Sequence, residues 1–251
     1  MHSLHAEVTT TYHNGPFGRL RCRSIGTARP GVPQVVVVPG LSVADYLLTG
    51  LAGFGRWTRA HLLELPRSGG VDVTRFADAV AGWLDTYALG PVVLGGHSSG
   101  TQVAAAASAG RDDVVVALLV GPIVDPARRS AFRLGVGWLR DGRQERGGLI
   151  RSQGPEWARS GPVRIARLIR SHLAFRIEEP VGALRVPALV LRGSEDRLSR
   201  AGWCRRLAAS TPGGRYVELP GAHSFFWDDP ETWVEVVRDA CSSRSPRPAA
   251  G

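Results

Sequence analysis

Lysine is absent from this sequence of 251 residues, and all 31 basic residues are arginine. The formal charge of +9 raises the question of nucleic acid or an anionic surface as a partner. The arginines, however, run from Arg19 and Arg21 to Arg244 and Arg247 without gathering into one basic arm. No aromatic side chains interleave with them as a base-stacking platform requires, so no nucleic-acid role is expected. Cysteine is scarce: Cys22, Cys204 and Cys241 form an odd, scattered set that fits neither a disulfide framework nor zinc-ligand spacing. They read as small, partly buried side chains, and no metal site is expected. No apolar run approaches the roughly 20 residues of a membrane-spanning helix. The stretch Met1-His2-Ser3-Leu4-His5-Ala6-Glu7 lacks both the basic start and the apolar core of a secretory leader, which makes a cytoplasmic location the expectation. Internal repeats are not apparent either. What remains is an ordinary globular balance, 43% hydrophobic and 21% charged, at a length that α/β folds often reach undivided.

Hydrophobic period orders the elements. Segments 7–12 and 20–25 read as a hairpin across the turn-rich His13-Asn14-Gly15-Pro16. The run Val35-Val36-Val37-Val38, ended by Pro39-Gly40, is what a strand covered on both faces requires. A weaker strand at 61–65 precedes a helix over 73–87, where Phe76, Val80, Trp83 and Leu84 recur at helical spacing behind Thr74 as a candidate N-cap. Strands at 91–94, 114–120, 188–192 and 215–219 then alternate with helices, including one over 99–109 and a last one over 230–240. This pattern predicts a mostly parallel sheet with helices on both faces. Between 126 and 180 the alternation stops, leaving only arginine-rich helical patterns. An insertion between two central strands belongs over the strand C-terminal ends, where open α/β sheets bind ligands. A helical cap is the functional reading; packing helices without substrate contact are the plain alternative. The expected division is a core over 1–125, a cap over 126–180, a second core part over 181–241 and a disordered tail over 242–251.

Chemistry concentrates at three strand ends. The strand at 91–94 runs through Gly95 into Gly96-His97-Ser98-Ser99-Gly100, and an alanine-rich helix begins at once. A serine on such a turn is held in a strained conformation that exposes its hydroxyl, and small neighbours let strand and helix approach. Ser98 is therefore the candidate nucleophile. A serine hydroxyl needs a base, and His223, just after the last strand in Pro220-Gly221-Ala222-His223, is the best placed. His2, His5 and His13 lie in or near the hairpin, His61 begins a strand, and His97 adjoins the nucleophile and shapes its turn. The histidine in turn needs a carboxylate. Asp196, in Gly193-Ser194-Glu195-Asp196, is preferred; Asp125, after the strand at 114–120, is the alternative acid. The developing oxyanion needs two donors: the backbone N–H of Ser99 and that of Leu41, in the loop Pro39-Gly40-Leu41-Ser42. Candidate pocket residues are Ser42 and the cap side chains Phe132, Trp138, Trp157, His172 and Phe175. Arg133, Arg164 and Arg170 read as solvated faces of cap helices.

Taken together, segments 35–40, 96–100, 193–196 and 221–223 closely resemble the cap-containing α/β-hydrolase superfamily, over nearly the whole chain outside its termini. The order Ser98, Asp196, His223 is the one this fold uses, and Asp229-Pro230-Glu231 opens the final helix in a familiar way. The resemblance implies a cofactor-free serine mechanism with an acyl intermediate on Ser98 and a small-molecule substrate, in a monomer or homodimer. Pro39-Gly40 stands where relatives often carry His-Gly. Glu64-Leu65-Pro66-Arg67-Ser68-Gly69-Gly70 replaces the usual glycine-rich turn. Branches with an aspartate nucleophile are excluded by Ser98, and Tyr12, Tyr46, Tyr87 and Tyr216 lie outside the cap, unlike the tyrosines of epoxide hydrolases. Carbon–carbon bond hydrolases commonly carry tryptophan where this chain has Ser224. Hydrolysis of a carboxylic ester or lactone with an apolar or aromatic portion leads. A thioesterase, a C–C bond hydrolase and a non-hydrolytic ligand-binding member are the alternatives.

Overall fold

A computed structural model describes residues 7–41, 43–142, 145 and 148–242, with backbone only at Arg128 and Ile150. The expected pocket residue Ser42 and the tail beyond Ser242 lie outside the described residues. Eight strands form one sheet: β1 (Thr9–Gly15), β2 (Gly18–Ile25), β3 (Gln34–Val38), β4 (Ala60–Glu64), β5 (Val92–His97), β6 (Val114–Val120), β7 (Ala188–Gly193) and β8 (Arg215–Leu219). Their order is β1-β2-β4-β3-β5-β6-β7-β8, with β1, β2 and β4 antiparallel to their neighbours on that side and every pair from β4 to β8 parallel. The valine run of β3 is wholly buried, as a strand between helical layers must be.

The hairpin differs from expectation in its turn. His13 and Asn14 are strand residues, Gly15 pairs with Gly18, and only Pro16 and Phe17 connect them. Gly18 supplies the positive φ, +120°, that so short a link needs.

Helix α1 (Asp45–Phe54) joins β3 to β4, α2 (Val73–Tyr87) joins β4 to β5, and α3 (Gly100–Ser108) joins β5 to β6. The N-cap of α2 is Asp72, whose carboxylate accepts from the N–H groups of Thr74 and Arg75; Thr74, the expected cap, lies two residues further on, inside the helix. Between β6 and β7 the chain makes a short 3₁₀ turn at Pro126–Arg128 and then α4 (Ala131–Asp141), α5 (Leu149–Ser160), α6 (Pro162–Ala174) and α7 (Glu178–Gly182). Because α7 crosses position 180, the inserted helical stretch does not end where the sequence suggests. Helices α8 (Ala201–Ala209) and α9 (Pro230–Ser242) follow β7 and β8. Ser242 therefore closes a helix and does not begin a tail.

The inserted helices are pinned to the core at buried points. Glu156 of α5 is almost wholly buried, and its Oε2 accepts from the N–H groups of Ala44 and Asp45 at the start of α1, at 2.7 and 3.0 Å. A carboxylate suits the positive end of that helix, whose N-cap Ala44 has no side chain to cap it. Arg164 of α6 donates to the carbonyls of Pro66 and Arg67 at 2.7 and 2.8 Å, so this arginine is a tether and not only a solvated face.

Candidate active site

The turn after β5 holds Ser98, the candidate nucleophile, in a strained backbone conformation. Ser98 has φ +57°, in the left-handed region that an ordinary side chain avoids. Its N–H donates to the Val120 carbonyl at 2.9 Å, and its carbonyl accepts from Thr101 Oγ1 at 2.6 Å, so neighbouring elements hold the strained residue on both sides. Glycines make the approach possible. A Cβ on Gly96 would lie 2.2 Å from the Gly100 carbonyl oxygen, and one on Gly100 would lie 2.3 Å from that of Val38. Ser98 itself is partly exposed at the top of this turn.

His223 lies between β8 and α9 and is 5% exposed; Asp196, just after β7, is 3% exposed. Nδ1–H of His223 donates to Asp196 Oδ2 at 2.8 Å. The other carboxylate oxygen accepts from the N–H groups of Leu198 and Ser199 at 2.8 and 2.7 Å, which fixes the plane of the acid. Nε2 of His223 is buried and makes no hydrogen bond among the described residues. Burial alone would lower the imidazole's pKa, but the nearby Asp196 carboxylate, joined by Asp141 and Glu145, raises it to about 9.

The alternative acid is occupied elsewhere: Asp125 Oδ1 accepts from the Ala127 N–H at 3.1 Å and pairs with Arg206 at 3.3 Å. The acid bonded to His223 is Asp196.

His97 joins the turn that carries Ser98 to His223. Its Nε2–H donates to the His223 carbonyl at 3.1 Å, since a carbonyl only accepts, and its Nδ1 is left to accept from the Tyr46 hydroxyl at 2.5 Å. Its ring centroid is 4.7 Å from that of His223. Burial and His223 hold its pKa well below the ordinary value, so the ring stays neutral. Tyr46 sits in α1, an element the sequence did not reveal.

The expected oxyanion donors meet at Gly40. A Cβ there would lie 3.0 Å from Ser98 Cβ and 3.4 Å from the Ser99 nitrogen, so only glycine brings the loop this close. Leu41 has φ +41°, and its N–H donates to Ser99 Oγ at 2.9 Å. That donor is thus engaged by a side chain at the helix start and must exchange to reach an oxyanion.

The candidate pocket side chains do not converge. Phe132, 78% exposed, lines a groove of about 1010 Å³ with Arg133, Arg140, Arg197 and Arg200, on a side where Asp196 rather than Ser98 forms the wall. Trp138 and Trp157 meet edge to face at 5.4 Å, and Trp157 packs against the apolar core. Phe175 is also packed against core residues. His172 is buried and turned inward: Nδ1–H donates to Gln102 Oε1 at 2.6 Å while Gln102 Nε2 donates to the His172 carbonyl at 3.0 Å. Burial lowers its pKa to about 4, and it ties α6 to α3.

Three residues beside the dyad escaped the sequence. Gly121, φ +55°, faces it so closely that a Cβ would lie 2.9 Å from His223 Cε1 and 3.4 Å from Asp196 Oδ2. Asp141, at the end of α4, accepts from the Arg197 N–H at 3.0 Å, and Glu145 accepts from the Ser224 N–H at 2.8 Å. Gly121-Pro122 directly after a buried strand was the one available signal; the two acids lie in a stretch without a motif.

The alpha/beta hydrolase family model matches residues 35–236. No curated protein matches the chain significantly. Among solved structures, a thermophilic esterase from Thermogutta terrifontis is 18% identical with a TM-score of 0.74, over 95% of this chain and 99% of that one. The enol-lactonase from Burkholderia xenovorans LB400 is 18% identical, TM-score 0.71, over 92% and 100%. N-formylmaleamic acid deformylase from Pseudomonas putida S16 is 14% identical, TM-score 0.72, over 91% and 99%. Identities this low speak for the fold alone. The family match spans most of the chain, from the valine strand to the last helix, and with it the chain belongs to the alpha/beta hydrolase family.

Proposed function

We propose that the protein is a serine hydrolase that cleaves a small carboxylic ester or lactone through an acyl intermediate on Ser98. The observation that carries this reading is the hydrogen bond from His223 Nδ1 to Asp196, which leaves the buried Nε2 as the basic atom of a ring whose centroid lies 4.7 Å from that of His97, the residue before Ser98. In the first step the Ser98 Oγ–carbonyl bond forms as its proton passes to His223 Nε2. The tetrahedral adduct collapses, and the leaving alkoxide takes that proton. Water then attacks the acyl group, again losing a proton to Nε2, and returns serine with release of the acid. The Ser99 N–H, at the start of α3, and the Leu41 N–H, once exchanged from Ser99 Oγ, are the donors for the oxyanion.

The helices between β6 and β7 serve as the cap in this reading. Neighbours described as an esterase, a lactonase and a deformylase all act at carbonyl carbon, and so accord with acyl transfer. Ser224, not tryptophan, follows the base, which weighs against C–C bond cleavage.

Turnover of p-nitrophenyl acetate by wild type and a Ser98→Ala variant tests the proposal. Loss of at least ~10³-fold in kcat/KM is expected on removing the nucleophile. Unchanged turnover in the variant would end it.

A further inference from the structure

Two acids of the inserted segment reach the catalytic loops. Asp141 Oδ1 accepts from the N–H of Arg197, the residue after Asp196, at 3.0 Å. Glu145 Oε1 accepts from the N–H of Ser224, the residue after His223, at 2.8 Å. The two carboxyl groups are hydrogen-bonded to each other, and the Glu145 N–H donates to the Asp141 carbonyl at 3.1 Å. One pair of side chains thus grips the backbone of the acid loop with one member and that of the base loop with the other. Neither is needed to complete a serine–histidine–aspartate set, and a carboxyl pair with Asp141 buried and Glu145 half-buried is costly unless it has a task.

We infer that Asp141 and Glu145 form an acid clamp, borne by the segment between β6 and β7, which positions the Asp196–His223 pair and sets the basicity of His223. The inference rests on the proposed hydrolase reading. The groups facing His223 are Asp196 from the loop after β7, Asp141 from α4, Glu145 from the loop after α4, and His97 from β5, whose other nitrogen meets Tyr46 of α1. His97 is neutral, and the charged groups that raise the His223 imidazole among the described residues are the carboxylates of Asp196, Asp141 and Glu145. Burial, helped by Asp141 and offset in part by the Ser224 N–H, raises the Glu145 carboxyl to about 7. The contact between the two raises Glu145 and lowers Asp141, so Glu145 is the member that holds the shared proton longer.

The consequence has a definite sign. Only neutral His223 can accept the Ser98 proton, and each nearby negative charge favours the imidazolium. The clamp therefore moves the onset of reactivity to higher pH. It does so only while the inserted segment is seated, which makes seating of that segment and strength of the base one event. Removing the Asp141 charge lowers the imidazole's pKa most. Removing Glu145 acts with the same sign and more weakly, because its carboxylate raises the imidazole less than that of Asp141 does.

A fluorophosphonate probe reads this without knowledge of the substrate. Ser98 attacks phosphorus, fluoride leaves and the proton goes to His223 Nε2, so the rate of labelling against pH follows the base. In wild type the labelling rate should rise with an apparent pKa above the ordinary histidine value of ~6.5. Asp141→Asn should lower it by at least half a pH unit and Glu145→Gln by less. A wild-type limb at ~6.5 that neither substitution moves overturns the clamp and leaves the hydrolase reading intact. Equal slowing at every pH with an unmoved limb also overturns it, since that is loss of packing alone. Absence of labelling in wild type at any pH defeats the hydrolase reading itself.

Discussion

At the scale of single residues, the site depends as much on an atom that is missing as on those present. Gly121 ends β6 at φ +55° and leaves the space in which the His223–Asp196 bond lies. A methyl group there would meet His223 Cε1 at 2.9 Å and Nδ1 at 3.0 Å, distances that force the ring to move. The ring cannot yield freely, because its carbonyl is held by His97 and its Nδ1 by Asp196. Displacements of about 1 Å at reacting groups typically cost ~10² in rate. Gly121→Ala should therefore lower kcat/KM for p-nitrophenyl acetate by about two orders of magnitude. A left-handed alanine costs only ~1 kcal/mol, so the melting temperature should fall by a few degrees. Activity within threefold of wild type would show that the dyad tolerates the methyl group.

At the scale of elements, α1 shows what local pattern cannot disclose. Its sequence, Asp45-Tyr46-Leu47-Leu48-Thr49-Gly50-Leu51-Ala52-Gly53-Phe54, carries two glycines and no capping side chain, which is a poor helix by propensity. The helix forms because of its partners. Gly50 lies under Trp233 of α9 and Gly53 beside Val234, where added Cβ atoms would each stand 2.9 Å from a side-chain carbon. The Gly50→Ala exchange isolates the competition. It offers up to ~1 kcal/mol of helix propensity and incurs ~1–3 kcal/mol of overpacking against a fully buried tryptophan. A net loss of stability is expected, read as a lower midpoint in urea; a gain would mean that Trp233 moves aside at little cost.

The same contrast explains the site. Ser98 and Asp196 follow the buried strands β5 and β7, and His223 follows the more exposed β8, each across a glycine-containing turn, and that punctuation is readable in one dimension. Asp141 and Glu145 act through helices whose placement depends on tertiary contacts, and nothing in their spacing points to His223. The aromatic side chains of the inserted segment were read by type alone. Phe132 faces an outer groove and Phe175 the core, because helix rotation decides which face turns inward, and polar sequences with scattered arginines leave that rotation open.

At the scale of the molecule, the buried histidines make stability depend on pH from both sides. His61 lies between Ser24 and Gln34 and His172 against Gln102, each neutral, with burial lowering the pKa to about 4. The unfolded chain protonates the same groups near 6.5. Between those values the unfolded state binds more protons, so stability is complete above pH 6.5 and declines as pH falls toward 4. Each histidine contributes about 1.4 kcal/mol per pH unit in that window, up to ~3 kcal/mol. His97 adds in the same direction. Glu145 and Asp141, whose carboxyl groups hold their protons longer when folded, oppose it in part. His223 works the other way: with its pKa raised to about 9, the folded state keeps a proton that the unfolded state releases, and stability falls as pH rises from 6.5 to 9. The melting temperature should therefore peak near pH 6.5 and decline on both sides. A His172→Gln variant starts from a lower level, since it loses native packing, but the informative quantity is slope. Its acid limb should be shallower by roughly one proton's linkage while its alkaline limb matches wild type. Parallel acid limbs for the two proteins would mean that His172 is not held neutral in the fold, and would remove the tie between α6 and α3 from the account of acid unfolding.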